Sequence, residues 1–332
     1  MSTFSPTSNG LLEPLSPWLN DDQVSEILLN KPQEIYVEKN GTLKRFTISE
    51  LNIRTLDRLF QLIANENQQE LNAQHPLLSG NLLDGTRVQL VLPPIAKHHT
   101  FSIRRKVVRH FSLENYQEIN FFDRAKPFHL QTSDGNFLSP QEKQLMDLYQ
   151  RKQWHDFLVL AIQLKKNIVI SGGTSSGKTT FLNACLCAIP LEERMLILED
   201  TREVEILHPN QVQLLASKGE QGLAKISMQD LVQCCLRLRP DRIICGEIRG
   251  KEILDFVSAC STGHEGSMTT IHANNPRIAF MRMCQMYKLN NVPSMTDEDI
   301  MRALHAVIDV IVQVGKTKES RRVQSVYYKQ EK

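Results

Sequence analysis

The segment that most constrains this chain is 172–179, which reads Gly-Gly-Thr-Ser-Ser-Gly-Lys-Thr. It matches the phosphate-binding pattern G-x-x-x-x-G-K-[ST], the P-loop, in which small residues let successive backbone N–H groups point at phosphate oxygens. An apolar β-branched run, 167–170, precedes it, and helix-forming residues follow it. Strand, loop and helix form the setting that this pattern requires, so a glycine-rich surface turn is the minor alternative. The segment therefore predicts nucleotide binding by an α/β domain.

The P-loop pattern gives chemical roles to its residues. Lys178 is expected to reach the β- and γ-phosphates, and the Thr179 hydroxyl is expected to ligate Mg²⁺. ATP and Mg²⁺ are therefore the predicted ligands. The nucleotide contacts predicted from this segment are Gly172, Gly173, Thr174, Ser175, Ser176, Gly177, Lys178, Thr179 and Thr180.

Composition narrows the class of protein without naming a partner. A chain of 332 residues favours two domains, and 41% apolar with 23% charged residues is ordinary for a globular protein. A net charge of +2 gives no whole-chain electrostatic reason to expect nucleic acid or membrane binding. The seven cysteines are odd in number and form no C-x-x-C pair, so we expect buried free thiols rather than disulfides or a zinc site.

The pattern along the chain predicts four segments. Residues 1–10 lack the features of a signal peptide and are predicted to be a disordered tail. Residues 11–112 are predicted to form an α+β N-terminal domain and 113–138 a linker. A capping box opens 139–332, where strands and helices then alternate as in an α/β sheet. No apolar run near the middle is long enough to span a membrane, so any membrane association is expected to be peripheral.

Local patterns predict the elements of the N-terminal domain. A short helix is expected over 24–28, and a hairpin with an Asn-Gly turn is expected over 34–46. Apolar residues at helical spacing predict a longer amphipathic helix over 56–63. Residues 88–92 and 100–103 are predicted strands.

Three further segments place polar chemistry at strand ends. The apolar run in 195–203 ends in a cluster of acids, and the run in 239–249 ends in Gly246 and Glu247. Acids at the carboxyl ends of such strands can order water or Mg²⁺ beside a γ-phosphate, although a solvated strand end is the alternative. His264 and His272 flank a third short strand and lack an obvious third ligand, which disfavours a metal pair. His272 is expected to sense the γ-phosphate, whereas His264 has an equally good structural interpretation.

Together these segments resemble the secretion ATPase superfamily of hexameric traffic ATPases. Its four boxes occur in order: the P-loop, an aspartate box at 197–203, an atypical Walker B at 239–249 and a histidine box at 262–273. In the first domain, 84–89 and 101–106 resemble the branch that powers type IV secretion and conjugation. The tetracysteine zinc insert of the pilus-assembly and type II branch is missing.

The resemblance implies a RecA-like C-terminal ATPase domain joined by a linker to a smaller α+β domain. It implies that Glu203 and Glu247 are the catalytic carboxylates and that His272 is the γ-phosphate sensor. Mg²⁺ would be held by Thr179 and Glu247, partly through water. The first domain would bring positive charge to the nucleotide, and the candidates are Arg87, Arg104 and Arg105. The sequence leaves open which of Arg104 and Arg105 serves.

The function implied by the resemblance is ATP hydrolysis that powers substrate translocation, pilus biogenesis or both in a bacterial type IV secretion system. The implied protein is a homohexameric ring in the cytoplasm, peripheral to the inner membrane. Its implied partners are inner-membrane components of the channel and a translocated protein or nucleoprotein. The alternatives are a pilus-retraction motor of the same superfamily and a nucleotide-gated binding switch with slow hydrolysis. A ring helicase is disfavoured because no aromatic and basic stripe is evident.

Overall fold

A computed structural model describes residues 10–105, 139–217, 224–316 and 320–329. Their strands form one six-stranded and one seven-stranded sheet. The predicted linker, 113–138, and nearly all of the predicted tail lie outside the described residues. The proposed domain limits therefore stay predictions.

The first sheet is antiparallel and occupies the N-terminal region. Its strands are β1 (Val24–Lys31), β2 (Glu34–Lys39), β3 (Thr42–Thr47), β4 (Leu77–Asn81), β5 (Arg87–Val91) and β6 (Thr100–Arg104). They lie in the order β3-β2-β1-β6-β5-β4. A short 3₁₀ turn (Glu13–Leu15) and helix α1 (Ser16–Leu19) precede the sheet, and α2 (Ile53–Glu66) is inserted between β3 and β4.

Four local predictions for this region are confirmed, and the strands predicted at 88–92 and 100–103 are β5 and β6. The hairpin of β2 and β3 turns at Asn40 and Gly41, whose φ angles of 51° and 77° are the left-handed values that a tight hairpin turn requires. Helix α2 begins where the Asn52 side chain accepts the N–H of Thr55 at 3.1 Å. Its apolar stripe, including the fully buried Phe60, packs into the core that the sheet shares.

The helix predicted over 24–28 is wrong, because these residues begin strand β1. Ile27, Leu28 and Leu29 are all fully buried, and β1 lies inside the sheet between β2 and β6. A strand covered on both faces has a continuous apolar run, and over a short window such a run also satisfies helical spacing.

The second sheet is parallel except at one edge. Its strands are β7 (Ile168–Gly172), β8 (Met195–Glu199), β9 (Gln211–Leu215), β10 (Arg242–Cys245), β11 (Met268–Ile271), β12 (Val310–Lys316) and β13 (Arg321–Tyr328). They lie in the order β13-β12-β7-β11-β10-β8-β9, and only β12 and β13 pair antiparallel. Its helices are α3 (Pro140–Gln150), α4 (Trp154–Gln163), α5 (Lys178–Leu186), α6 (Met228–Cys235), α7 (Glu252–Ser261), α8 (Pro276–Lys288) and α9 (Asp297–Val307).

Helices cover both faces of the second sheet. Along β7, Ile168 and Ile170 join the core on one face, while Val169 joins the core on the other. Helix α3 begins at the predicted capping box, in which Ser139 and Glu142 satisfy each other's backbone N–H groups. The predicted α/β fold is thus confirmed. The cysteines are free thiols as expected, with only Cys187 exposed. No helix in the described ranges is both long and apolar enough to cross a membrane.

Polar contacts join the two sheets through the amino ends of β8 and β10. Arg194, which directly precedes β8, is fully buried and donates to the side chains of Asn30 and Asn210 at 2.6 and 2.5 Å. Arg239, which lies before β10, makes two hydrogen bonds of 2.9 and 2.7 Å to the carboxylate of Glu38. The N-terminal region therefore contacts the second sheet through directional hydrogen bonds, which form only when both partners are correctly placed.

Removing the Phe60 ring should destabilise the N-terminal region. Phe60→Ala leaves a cavity in the core between α2 and the sheet, and we expect it to lower the free energy of unfolding by about 3–5 kcal/mol. Urea unfolding measures the change. Leu207→Ala is the matched control, because Leu207 is 86% exposed and its truncation should cost less than about 0.5 kcal/mol. Equal losses of unfolding free energy in the two variants would contradict the close packing of Phe60 in the core.

Candidate active site

The P-loop joins β7 to α5 in the predicted strand–loop–helix setting. A Cβ on Gly172 would lie 2.4 Å from the Ser176 hydroxyl oxygen and 2.6 Å from the carbonyl oxygen of Val314, so only glycine fits there. Gly177 has a φ of 90°, a left-handed value that favours glycine just before the helix starts at Lys178. These glycines turn the loop back over the end of the sheet, where its N–H groups and the positive end of α5 can meet an anion.

Lys178 and Thr179 lie in a cleft of about 420 Å³. The Lys178 ammonium donates to the carbonyl oxygen of Gly173 at 3.3 Å and lies at 3.3 and 3.4 Å from the two ring nitrogens of His272. The lining residues that were predicted to bind nucleotide are Thr174, Ser175, Ser176, Gly177, Lys178, Thr179 and Thr180. Gly172 and Gly173 shape the loop behind them.

The acid cluster after β8 reaches the helix start of the P-loop. Glu203 accepts the hydroxyl of Thr179 at 3.1 Å. Glu199, nearly fully buried, accepts the backbone N–H groups of Glu203 and Val204 at 2.8 and 2.7 Å and so fixes the turn that carries Glu203. Burial raises the pKa of Glu199, and these two N–H groups oppose the rise.

Glu247 lies in the same cleft, at the carboxyl end of β10. One of its carboxylate oxygens accepts from Arg249 at 2.8 Å, and the other lies 3.0 Å from Nε2 of His272. Arg249 also pairs with Asp200, so it bridges the loops after β8 and β10. The structure thus brings together Lys178, Thr179, Glu203, Glu247 and His272, which the sequence places up to about a hundred positions apart.

Burial shifts the pKa of the two basic groups at the centre of the cleft. It lowers the pKa of Lys178, and the Glu247 carboxylate opposes this. It also lowers the pKa of His272; Glu247 again opposes the change, while Lys178 reinforces it. His272 is therefore neutral at pH 7 and has one ring N–H to donate.

The residues present suit a nucleotide and Mg²⁺. Among the described residues, the Ser176 hydroxyl is buried without a hydrogen-bond partner, so the cleft has a polar group to spare for a ligand. Within the described ranges, no cluster of three or more His, Cys, Asp and Glu could hold a metal unaided. Thr179 with one or two carboxylates fits the sparse protein ligation of Mg²⁺, which takes its other oxygens from phosphates and water.

The three arginines predicted to contact nucleotide lie elsewhere in this chain. Arg87 and Arg104 line a second cleft of about 360 Å³, together with Arg239 and Glu26. Nε of Arg104 is 3.5 Å from the buried carboxylate of Glu26. Arg105 instead donates to the backbone carbonyls of Asp21 and Val24. None of the three lines the P-loop cleft, and Arg104 keeps a more accessible guanidinium than Arg105 does.

The structure also identifies site residues to which the sequence gave no role. Glu199 lies in the aspartate box and Arg249 in the Walker B segment, but their positions in these motifs do not indicate a role. Their contacts in the structure do, because Glu199 fixes the turn that carries Glu203 and Arg249 bridges two loops. Arg321 lines the cleft from β13 and belongs to a basic pair that has no motif around it. His264, at the other end of β11 from His272, contacts the carbonyl of Pro240 at 3.2 Å and lies outside the cleft.

Three features define a P-loop ATPase. They are a parallel sheet with helices on both faces, a P-loop at the end of β7, and acids that follow the parallel strands β8 and β10. The model of the family described as "Type II/IV secretion system protein" matches residues 10–329, and the chain belongs to that family. The chain is therefore a secretion ATPase of this family.

Individual relatives agree over nearly the whole chain. The chain is 34% identical over 309 residues to the type IV secretion system protein VirB11 of Brucella suis, covering 91% of this chain and 84% of that protein. It is 33% identical over 327 residues to the type IV secretion system protein PtlH of Bordetella pertussis, covering 96% and 94%. The crystal structure of the Brucella suis VirB11 ATPase in complex with sulphate has a TM-score of 0.89 and 32% identity, with 97% of each chain covered.

The second cleft should make stability depend on pH through Glu26. Burial raises the pKa of Glu26 from 4.5 to about 7, although Arg104 and Ser102 oppose this. Folding therefore gains from protonated Glu26 at low pH, and this gain is lost as the pH rises through about 7. We expect Glu26→Gln to raise the free energy of unfolding by about 1–3 kcal/mol near pH 8, from about 1.4 kcal/mol per pKa unit.

The difference between wild type and Glu26→Gln should shrink towards zero as the pH falls towards the ordinary value of 4.5. Thermal unfolding across this pH range measures it. The exposed Glu50→Gln serves as the matched control. A Glu26→Gln variant that is less stable than wild type at pH 8 would contradict this prediction. It would show that the buried, charged carboxylate does not destabilise the folded state.

Proposed function

We propose that this chain hydrolyses ATP at the P-loop cleft and that hydrolysis powers substrate translocation or pilus biogenesis in a type IV secretion system. The observation that carries the proposal is the convergence of Lys178, Glu203, Glu247 and His272 on one cleft. The type IV secretion relatives support the choice of system. A phosphate-binding loop alone would support binding, whereas carboxylates beside it supply what hydrolysis of a bound phosphate needs.

The proposed chemistry divides among these residues. Lys178 and the loop N–H groups hold the β- and γ-phosphates and offset their charge. Glu247, at the end of β10, orients and polarises the attacking water, and Glu203 assists from the Thr179 side. The neutral His272 donates its ring N–H to a γ-phosphate oxygen and responds when that phosphate leaves.

Mg²⁺ is the metal that this donor set suits. Thr179 would hold it directly, and Glu247 would hold it partly through water. When bound, it neutralises negative charge that develops on the phosphate oxygens.

The arginines of the N-terminal region are proposed to contact the nucleotide as well. Arg87 and Arg104 line a cleft separate from the P-loop. Contact with a nucleotide therefore requires either that the N-terminal region swings on its linker or that a neighbouring chain presents its own arginines. A homohexameric ring in the cytoplasm, beside the inner-membrane parts of the channel, would supply such neighbours. Gating of this contact by the γ-phosphate would convert hydrolysis into motion of the N-terminal region.

Removing the catalytic groups should separate hydrolysis from binding. We expect Glu247→Gln to lower the turnover number by at least about a hundredfold while ADP still binds, because the amide cannot act as a base. Lys178→Ala should weaken both, because it removes charge from the phosphate site. Steady-state phosphate release and titration with a fluorescent ADP analogue measure the two effects.

Glu265→Gln provides the matched control, since Glu265 is exposed in the histidine box but does not line the cleft. Wild-type turnover no higher than that of Glu247→Gln would contradict the motor and favour a nucleotide-gated switch.

The ring makes a separate prediction. Light scattering of the purified protein with Mg²⁺ and ATP should give six times the chain mass, and turnover per chain should fall when dilution breaks the ring. A monomer with undiminished turnover at every concentration would contradict a site that is shared between chains. Pilus imaging in a deletion strain separates secretion and assembly from retraction.

A further inference from the structure

The P-loop has two unequal flanks. Strand β7 lies between β11 and β12. On the β11 side, the strand ends carry His272, Glu247 and the acid cluster with Glu203, which are the groups assigned to hydrolysis. On the β12 side, the cleft is lined by Arg321, which opens the antiparallel edge strand β13. The groups proposed to act on a γ-phosphate are therefore gathered on one side of the loop, and among the described residues Arg321 is the cation that lines the cleft on the other side.

Arg321 lies directly against the loop. Its Nε donates to the carbonyl oxygen of Ser175 at 3.2 Å. Its side-chain stem would lie 3.0 Å from a Cβ on Gly177, so the absence of a side chain at Gly177 lets the arginine cross the loop. Strand pairing fixes this position, because Arg321 is the register partner of Lys316 at the end of β12.

In the described part of the chain, the acids that line the cleft contact groups other than Arg321. Arg249 pairs with Asp200 and Glu247, and Lys178 is near Glu247 and His272. Across the described residues, no carboxylate lies within ion-pair distance of Arg321, and its other guanidinium nitrogens stay available. A guanidinium presents a planar fork of donors that matches phosphate oxygens, and its charge does not vary with pH in the ordinary range.

These observations fix the direction in which a nucleotide crosses the loop. If the γ-phosphate meets Glu247 and His272, the α-phosphate and nucleoside must extend towards the β12 and β13 flank. We propose that Arg321 is a nucleotide-binding residue that contacts the α-phosphate and sets the affinity of the cleft for nucleoside phosphates without taking part in hydrolysis. This inference rests on the proposed function, because it takes the orientation from the proposed catalytic groups.

Arg322 offers a matched control on the same strand. It carries the same charge one position on, so it faces the other side of β13, where its Nε donates to the Ser320 hydroxyl at 2.8 Å. It does not line the cleft. Loss of general positive charge would affect Arg321→Ala and Arg322→Ala alike, whereas a specific contact would affect the first alone.

The test is the dissociation constant of ADP and of inorganic phosphate for each variant, with phosphate measured by competition against a fluorescent ADP analogue. We expect Arg321→Ala to weaken ADP binding about tenfold or more, the range of a lost charge-assisted hydrogen bond. Arg322→Ala should stay within about twofold of wild type, and Arg321→Lys should fall between them because a lysine keeps the charge without the fork.

Inorganic phosphate distinguishes an α-phosphate contact from support of the loop. A single phosphate is held by the loop N–H groups and Lys178, so its binding should be little changed in Arg321→Ala. Equal weakening of ADP and inorganic phosphate would mean that Arg321 only braces the loop through Ser175, and the proposal would be overturned. Arg321→Ala and Arg322→Ala with equal ADP affinity would overturn it while leaving the ATPase proposal intact. Wild-type protein that binds no ADP would overturn both.

Discussion

The close packing of the P-loop on the ends of β7 and β12 is the constraint on which the site depends. There is no room for a side chain at Gly172, because the Ser176 hydroxyl and the backbone of β12 occupy that space. The loop must therefore turn sharply where β7 ends, and α5 must start directly above the sheet edge. Since the neighbouring strands are parallel to β7, their own last residues arrive at the same edge. The carboxylates and His272 therefore lie beside the loop because their strands run in the same direction as β7.

This dependence on strand ends explains why so much of the site could be predicted from sequence. The P-loop, the hairpin turn at Asn40 and Gly41 and the cap at Ser139 are local devices, whose geometry follows from a few adjacent residues. Glu203, Glu247 and His272 each follow a short apolar run, so the rule for parallel sheets was enough to bring them together. A coarse secondary-structure pattern therefore predicted that acids and a histidine lie together at these strand ends, whereas the choice of Glu203 and the catalytic roles came from the family resemblance.

The features that sequence reasoning missed depend on relations between distant elements. Strand β1 was mistaken for a helix because its apolar run reflects burial on two faces, which only the finished sheet reveals. The positions of Arg87 and Arg104 depend on how the N-terminal region sits on the second sheet, and no local pattern encodes that. Arg321 is one of two adjacent arginines, and only the antiparallel return of β13 along β12 brings one of them to the loop.

Arg194 has a consequence for how firmly the two regions are held together. Its guanidinium is fully buried between them, and burial lowers its pKa to about 10, because the charged form is less stable away from water. If the regions part, water returns to this group and to the amides of Asn30 and Asn210 that it binds. Hydrogen bonds to water would then replace much of what these groups lose. An apolar interface gains no such compensation when it opens. Opening the junction at Arg194 would therefore expose groups that water can solvate, so its net cost in free energy is smaller than the number of its hydrogen bonds suggests.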